Sequence, residues 1–93
     1  MAKGNLHLVV TGRVQGVGFR WFVVDAARRL DLTGWVKNLE DGSVEIHAAG
    51  PPEAVEELKA LVSKGPPGAR VTQVVPIETS THAELERPFG VSR

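Results

Sequence analysis

The sequence predicts an α+β fold with the element order β-α-β-β-α-β, and three observations lead to it. Two segments, Phe19 to Leu30 and Val55 to Val62, carry the apolar spacing of amphipathic helices. Runs rich in valine, isoleucine and threonine lie before, between and after these segments, as is typical of strands. The chain has 93 residues, enough for one hydrophobic core but not for two. We therefore expect a single domain over residues 1–93.

The first strand is predicted from Leu6 to Arg13, a run of leucine, valine and threonine that suits a buried strand. Val14 to Gly18 then forms a loop with two glycines. The first helix begins at Phe19, because apolar residues recur from there at helical intervals. Arg28 and Arg29 fall near the end of this helix, where cations suit the helix dipole.

The next two strands are predicted at Thr33 to Leu39 and Ser43 to Ala48, each with alternating apolar residues. The residues between them, Glu40-Asp41-Gly42, indicate a hairpin turn. The second helix is expected to open at Pro51-Pro52, because proline fits the first helical turn.

A fourth strand is predicted from Arg70 to Thr81, and Pro76 within it indicates an edge of the sheet. Phe89 to Val91 adds a short last strand. The order is that of the ferredoxin-like split βαβ sandwich, with a mixed or antiparallel sheet and both helices on one face. This fold hosts unrelated functions, so the function must be argued from particular residues.

Composition excludes several classes of protein. Eleven Lys and Arg balance eleven Asp and Glu, which argues against a general nucleic-acid binder. Cysteine is absent, so a disulfide framework, a thiolate metal site and a cysteine nucleophile are excluded, and a reducing cytoplasm is expected. The apolar run from Leu6 to Val10 is too short for a signal peptide or a membrane span, so we expect no membrane partner.

The segment from Gly12 to Arg20 has the features of an anion site. Gly16 and Gly18 allow positive φ, so successive N–H groups can point into one concavity at the start of a helix. Arg20 in the first helical turn opposes the dipole at a cost of about 0.3–1 kcal/mol, which a bound anion would offset. The alternative is a structural glycine turn beside a surface arginine. The segment lacks the Lys-Ser/Thr of a P-loop and the third glycine of a dinucleotide fingerprint.

Asn38 is the second candidate, because an amide offers donors and an acceptor that together orient a water molecule. Its alternative role is to open the hairpin turn. The three histidines, His7, His47 and His82, lack the spacing of metal ligands, so we assign them packing or surface positions. No metal and no cofactor are expected.

Two motifs resemble the signatures of the acylphosphatase family. The first is Val10-x-Gly12-x-Val14-Gln15-Gly16-Val17-x-Phe19-Arg20, and the second is Gly34-Trp35-Val36-Lys37-Asn38-x3-Gly42-x-Val44-x5-Gly50. The resemblance in element order covers nearly the whole chain. It implies a metal-independent hydrolase that splits the carboxyl–phosphate bond of small acyl phosphates into a carboxylate and inorganic phosphate.

The resemblance also implies the roles of individual residues. Arg20 and Asn38 are the expected catalytic residues, with Arg20 binding the phosphate and Asn38 orienting the attacking water. The phosphate is expected to lie on the backbone N–H groups of Gln15, Gly16, Val17, Gly18, Phe19 and Arg20. We expect a monomer whose ligands are the acyl phosphate and inorganic phosphate. The alternative is a non-catalytic ferredoxin-like module that binds phosphate or RNA, although Ser43 to Ala49 lacks the aromatic residues of an RNA-recognition strand.

Overall fold

A computed structural model of the chain describes residues 4–77 and 89–92. The described elements are β1 (Gly4–Arg13), α1 (Phe19–Arg29), β2 (Thr33–Asn38), β3 (Val44–Gly50), α2 (Pro52–Lys64), β4 (Arg70–Pro76) and β5 (Gly90–Val91). This confirms the predicted order, with the short last strand included.

The strands form one mixed sheet in the order β4-β1-β3-β2-β5. β1 pairs antiparallel with β3 and β4, β2 pairs antiparallel with β3, and β5 lies parallel to β2. Both helices pack on the same face of this sheet, which gives the predicted ferredoxin-like fold. As Pro76 indicated, β4 is an edge strand.

Several strand ends differ from the prediction because pairing, and not composition, sets them. β1 begins at Gly4 because Gly4 pairs with Gly50, the last residue of β3. β2 ends at Asn38, one residue earlier than predicted, because the Leu39 N–H donates to the Ser43 carbonyl within the turn (2.9 Å). Residues 78–81 of the predicted fourth strand, and His82, lie outside the described residues.

The core lies between the sheet and the helices. On β1, alternate residues are buried, and each apolar side chain buried in this way stabilises the fold by about 1.5–3 kcal/mol. The largest fully buried side chains come from both layers and include Phe19, Phe89, Leu8, Ile46 and Leu58. No helix within residues 4–77 and 89–92 is long and apolar enough to cross a membrane.

The pairing brings the ends of four strands together at one end of the sheet. The ends of β1 and β2 lie beside the starts of β3 and β4, since these neighbouring strands run antiparallel. The glycine loop that follows Arg13 and the turn that follows Asn38 therefore lie at the same end of the sheet.

Candidate functional site

The loop between β1 and α1 owes its path to two glycines. Gly16 and Gly18 have φ values of +75° and +76°, and Gly18 is the N-cap of α1. A Cβ at either position would meet no heavy atom within 4 Å. The backbone conformation, and not lack of space, therefore favours glycine at both positions, since other L-residues reach it at a cost of about 1–2 kcal/mol.

The backbone N–H groups of this loop are not used by the fold. Within the described residues, none of the six N–H groups from Gln15 to Arg20 donates a hydrogen bond, and α1 has no side-chain cap. The first bond at this helix end is from the Phe22 N–H to the Gly18 carbonyl (3.0 Å). The loop thus presents open donors at the positive end of a helix, the arrangement that binds anions.

Three exposed arginines, Arg13, Arg20 and Arg70, lie near the ends of the elements that carry this loop. Arg20 is exposed, and no hydrogen bond or ion pair joins its side chain to another residue of the described ranges. Arg13 and Arg70, both exposed, lie directly opposite each other at the end of β1 and the start of β4, and the loop follows Arg13. Like charges in cross-strand positions repel, and a bound anion would relieve this repulsion. The net charge of the sequence is zero, but the positive charge at this end of the sheet favours an anion there.

The Gln15 side chain links the loop to the β2–β3 turn. Its Nε2 donates to the carbonyl oxygens of Leu39 and Ser43, at 2.8 Å each. Sequence reasoning assigned only the backbone of Gln15 to the site and missed this link. The signal for it was a long amide side chain among the small and apolar residues of the loop. The link holds the loop against the residue that follows Asn38.

The turn that accepts these bonds is itself fixed. The Asp41 carboxylate accepts hydrogen bonds from the Ser43 N–H (2.9 Å) and from the Ser43 hydroxyl. These two bonds lower the pKa of Asp41 below its ordinary 3.8. The Gly42 N–H also donates to the Leu39 carbonyl (3.2 Å). Gln15 therefore bonds to carbonyl groups whose positions are set by the turn.

Asn38 is the last residue of β2 and lies opposite Val44 of β3. Its amide oxygen is buried and has no hydrogen-bond partner among the residues that the structure describes. A buried polar atom without a partner costs about 1–3 kcal/mol, and such atoms are few in native proteins. The oxygen therefore marks a point beside the loop where a donor from a water molecule or a ligand is needed.

The histidines lie elsewhere. His7 and His47 are cross-strand partners on the sheet face that the helices leave uncovered, and His82 is outside the described residues. No group of three or more His, Cys, Asp or Glu side chains in residues 4–77 and 89–92 is arranged to hold a metal ion.

Comparison with known proteins identifies one family. The family profile described as Acylphosphatase matches residues 6–90. The acylphosphatase of Bifidobacterium longum is 48% identical over 85 residues, covering 91% of this chain and 88% of that protein. The acylphosphatase of Salinibacter ruber is 51% identical over 84 residues, covering 90% and 87%. The crystal structure of acylphosphatase from Bacillus subtilis superposes with a TM-score of 0.88 at 39% identity, covering 99% of this chain and all of that one.

Proposed function

The chain belongs to the acylphosphatase family, and on that premise we propose that it hydrolyses small acyl phosphates to a carboxylate and inorganic phosphate by metal-free attack of an oriented water. One observation carries the proposal to this chain's own residues. The six N–H groups from Gln15 to Arg20 have no acceptor within the described fold, and the Arg20 side chain beside them has no partner among the same residues. A phosphoryl group supplies the acceptors that these donors lack.

In this proposal the loop and Arg20 hold the phosphoryl group. The N–H groups bind its oxygens, and the planar guanidinium of Arg20 binds two of them at once. The hydrogen bonds from these donors strengthen as negative charge redistributes over the reacting group in the transition state. They therefore raise kcat as well as substrate affinity. The dipole of α1 adds to the same field.

Asn38 orients the nucleophile. Its buried oxygen accepts a hydrogen bond from the attacking water, which turns a water lone pair toward phosphorus. The bond from the water oxygen to phosphorus forms as the bond from phosphorus to the acyl oxygen breaks, and the carboxylate leaves with that electron pair. The proton of the water passes to a phosphoryl oxygen.

The chemistry of the leaving group explains why this set of groups suffices. A carboxylic acid has a pKa of about 4, so its anion leaves at neutral pH without a general acid. Phosphoryl transfer proceeds through a loose transition state in most analyses, and it needs mainly positioning and electrostatic stabilisation. The proposal therefore assigns no step to a metal ion or cofactor.

We further propose that residues 1–93 form a single domain that acts as a monomer in the cytoplasm, without nucleic-acid or membrane partners. The zero net charge of the sequence supports the absence of a nucleic-acid partner, and its lack of cysteine supports a reducing cytoplasm. Light scattering on the purified protein in reducing buffer tests the oligomeric state, and a dimer would contradict the proposal.

The central test is hydrolysis of benzoyl phosphate in the presence of EDTA. Arg20→Ala is expected to lower kcat/KM by about 10²-fold or more, and Arg20→Lys to recover only part of the loss, because lysine lacks the planar fork. Arg29→Ala is the matched control, since Arg29 lies on the same helix and pairs with Asp25 (2.7 Å). Its activity should equal that of the wild type.

Phosphate binding provides an independent measurement. Inorganic phosphate should raise the Tm of the wild type in proportion to the logarithm of its concentration, and of Arg20→Ala much less. Activity that EDTA abolishes would contradict the metal-free mechanism. An Arg20→Ala enzyme with normal kcat/KM would contradict the site.

A further inference from the structure

A groove of about 330 Å³ runs along α1 from Arg20, in the first turn of the helix, to β5. Its lining comes from one side of α1 and from β5, and consists of Arg20, Trp21, Val24, Arg28 and Val91. Arg20 is therefore shared between the loop that binds phosphate in our proposal and this groove. A substrate whose phosphoryl group lies on the loop would have this space beside it.

The far end of the groove carries an anchored cation. The Nε of Arg28 donates to the Phe89 carbonyl (2.8 Å), which fixes the plane of the guanidinium. Its two terminal nitrogens have no partner within the described residues. The neighbouring Arg29, which lies outside the groove, has its charge paired with Asp25. Two arginines that have no anionic partner among residues 4–77 and 89–92 thus face one small groove.

The space between the two arginines is apolar. Trp21 is 70% exposed, which is unusual for the largest side chain in the sequence. Val91, 37% exposed, provides further aliphatic surface, whereas Val24 lines the groove with only 2% of its surface exposed. An exposed indole ring beside a valine favours a flat apolar body, because aromatic rings pair with tryptophan more strongly than buried area alone predicts.

The spacing defines the ligand. Arg20 and Arg28 are eight residues apart, which places their Cα atoms about 12 Å apart along the helix axis. Since arginine side chains are long, Arg20 can contact one anion and Arg28 a second anion roughly 10 Å away. We infer that the groove binds the acyl part of the substrate and selects acyl phosphates that carry a second anionic group beyond an apolar body, with Arg28 as the specificity-determining residue. This inference rests on the proposed function.

Three substrates with one reacting bond test the inference. In 4-carboxybenzoyl phosphate the second anion lies across the ring from the acyl phosphate. The amide 4-carbamoylbenzoyl phosphate has the same shape without the charge, and benzoyl phosphate lacks the substituent. The wild type is expected to give a kcat/KM about tenfold or more higher for the carboxylate than for the amide, as expected for a charge-assisted bidentate contact.

Variants locate the effect. Arg28→Gln should bring the carboxylate-to-amide ratio near one, through a higher KM for the carboxylate, and Arg28→Lys should retain part of it. Arg29→Gln is the control and should keep the full ratio. Trp21→Ala should raise KM for all three substrates without removing the charge preference.

The outcomes separate the two proposals. If none of the three compounds is hydrolysed, the proposed function is wrong. If benzoyl phosphate is hydrolysed and the wild-type ratio is one or lower, only the inference about the groove is overturned. Because this ratio is measured on the unmodified protein, the result holds even if an Arg28 variant folds poorly. A preference that survives in Arg28→Gln and Arg28→Lys would also overturn the role of Arg28.

Discussion

The imidazole rings of His7 and His47 stack across β1 and β3, with centroids 4.5 Å apart and planes 10° apart. His7 Nε2 lies 2.7 Å from a Glu45 carboxylate oxygen, whereas His47 Nε2 lies 3.2 Å from the side-chain oxygen of Asn5. Trp35 meets both rings edge-on. Among the hydrogen bonds of the two rings given above, only that of His7 is to a carboxylate. If both rings were protonated, two positive charges would be in contact.

This arrangement predicts an acid-sensitive fold. Burial lowers the pKa of His47 below its ordinary 6.5, positive charge on His7 lowers it further, and Glu45 acts in the opposite direction. The unfolded chain therefore binds a proton at His47 more readily than the folded chain, and stability rises with pH in this range. The stabilisation is fully present above pH 6.5 and is lost as the pH falls through the lowered pKa of the folded state.

Thermal unfolding between pH 7.5 and pH 5 checks this prediction. His47→Asn should unfold with a weaker pH dependence than the wild type. NMR titration of the His47 ring in the wild type gives a second measurement that does not depend on the variant. A titration midpoint above 6.5, together with equal pH dependence in both proteins, would contradict the prediction.

Asn38→Ala should separate catalysis from stability. It removes the group that orients water, so kcat for benzoyl phosphate should fall by about 10²-fold or more. Inorganic phosphate should bind as before, because the loop and Arg20 are intact. The Tm should hold or rise, since the variant also removes a buried oxygen without a partner. Asn5→Ala, the variant of the other asparagine, should keep kcat, and a normal kcat in Asn38→Ala would refute the water-orienting role.

Gln15→Ala should weaken both the fold and the phosphate site. It leaves the Leu39 and Ser43 carbonyls without their side-chain donor, which is expected to cost about 1–3 kcal/mol. The loop is then free to move away from the turn, so the Kd for phosphate and the KM for benzoyl phosphate should both rise several-fold. Calorimetry and kinetics measure these effects. Gln73→Ala on the exposed edge strand should change none of them, and equal effects from both variants would contradict the link.

Gly18 allows a graded test of loop conformation. Gly18→Ala should lower stability by about 1–2 kcal/mol because of the positive φ and not because of crowding. Gly18→Asn should lose less, because asparagine adopts this conformation more readily than alanine. Phosphate affinity should follow the same order, from glycine through asparagine to alanine. An Asn variant weaker than the Ala variant in both measurements would refute the argument from φ.

Local patterns in the sequence were sufficient to predict the order of elements. Apolar spacing placed the start of α1 at Phe19, and Pro76 placed β4 at an edge, because both signals arise within a few residues of chain. The start of β1 and the end of β3 could not be predicted from the sequence in this way. Gly4 extends β1 only because Gly50 is there to pair with it, and no property of residues 4 and 5 alone indicates a strand.

The candidate site shows the same division. The positions of the glycine loop and Asn38 were predicted, whereas the contacts that join them were not. Gln15 reaches the turn because the folded sheet brings distant segments together. Outside the site, the bond from Arg28 to the Phe89 carbonyl and the stack of His7 on His47, 40 residues apart in sequence, have the same origin. Such contacts depend on side-chain direction in three dimensions, which periodicity does not encode.

The Gln15 link has a consequence for the order of events in folding. Its two acceptors lie 24 and 28 residues further along the chain, so they are in place only after β2 and β3 have formed their hairpin. The hydrogen bonds of α1 join residues close in sequence, so we expect this helix to form early. Contacts between segments distant in sequence require loop closure and form more slowly. Phosphate binding during refolding should therefore lag behind the helical signal, so that affinity for the anion reports when long-range pairing is complete.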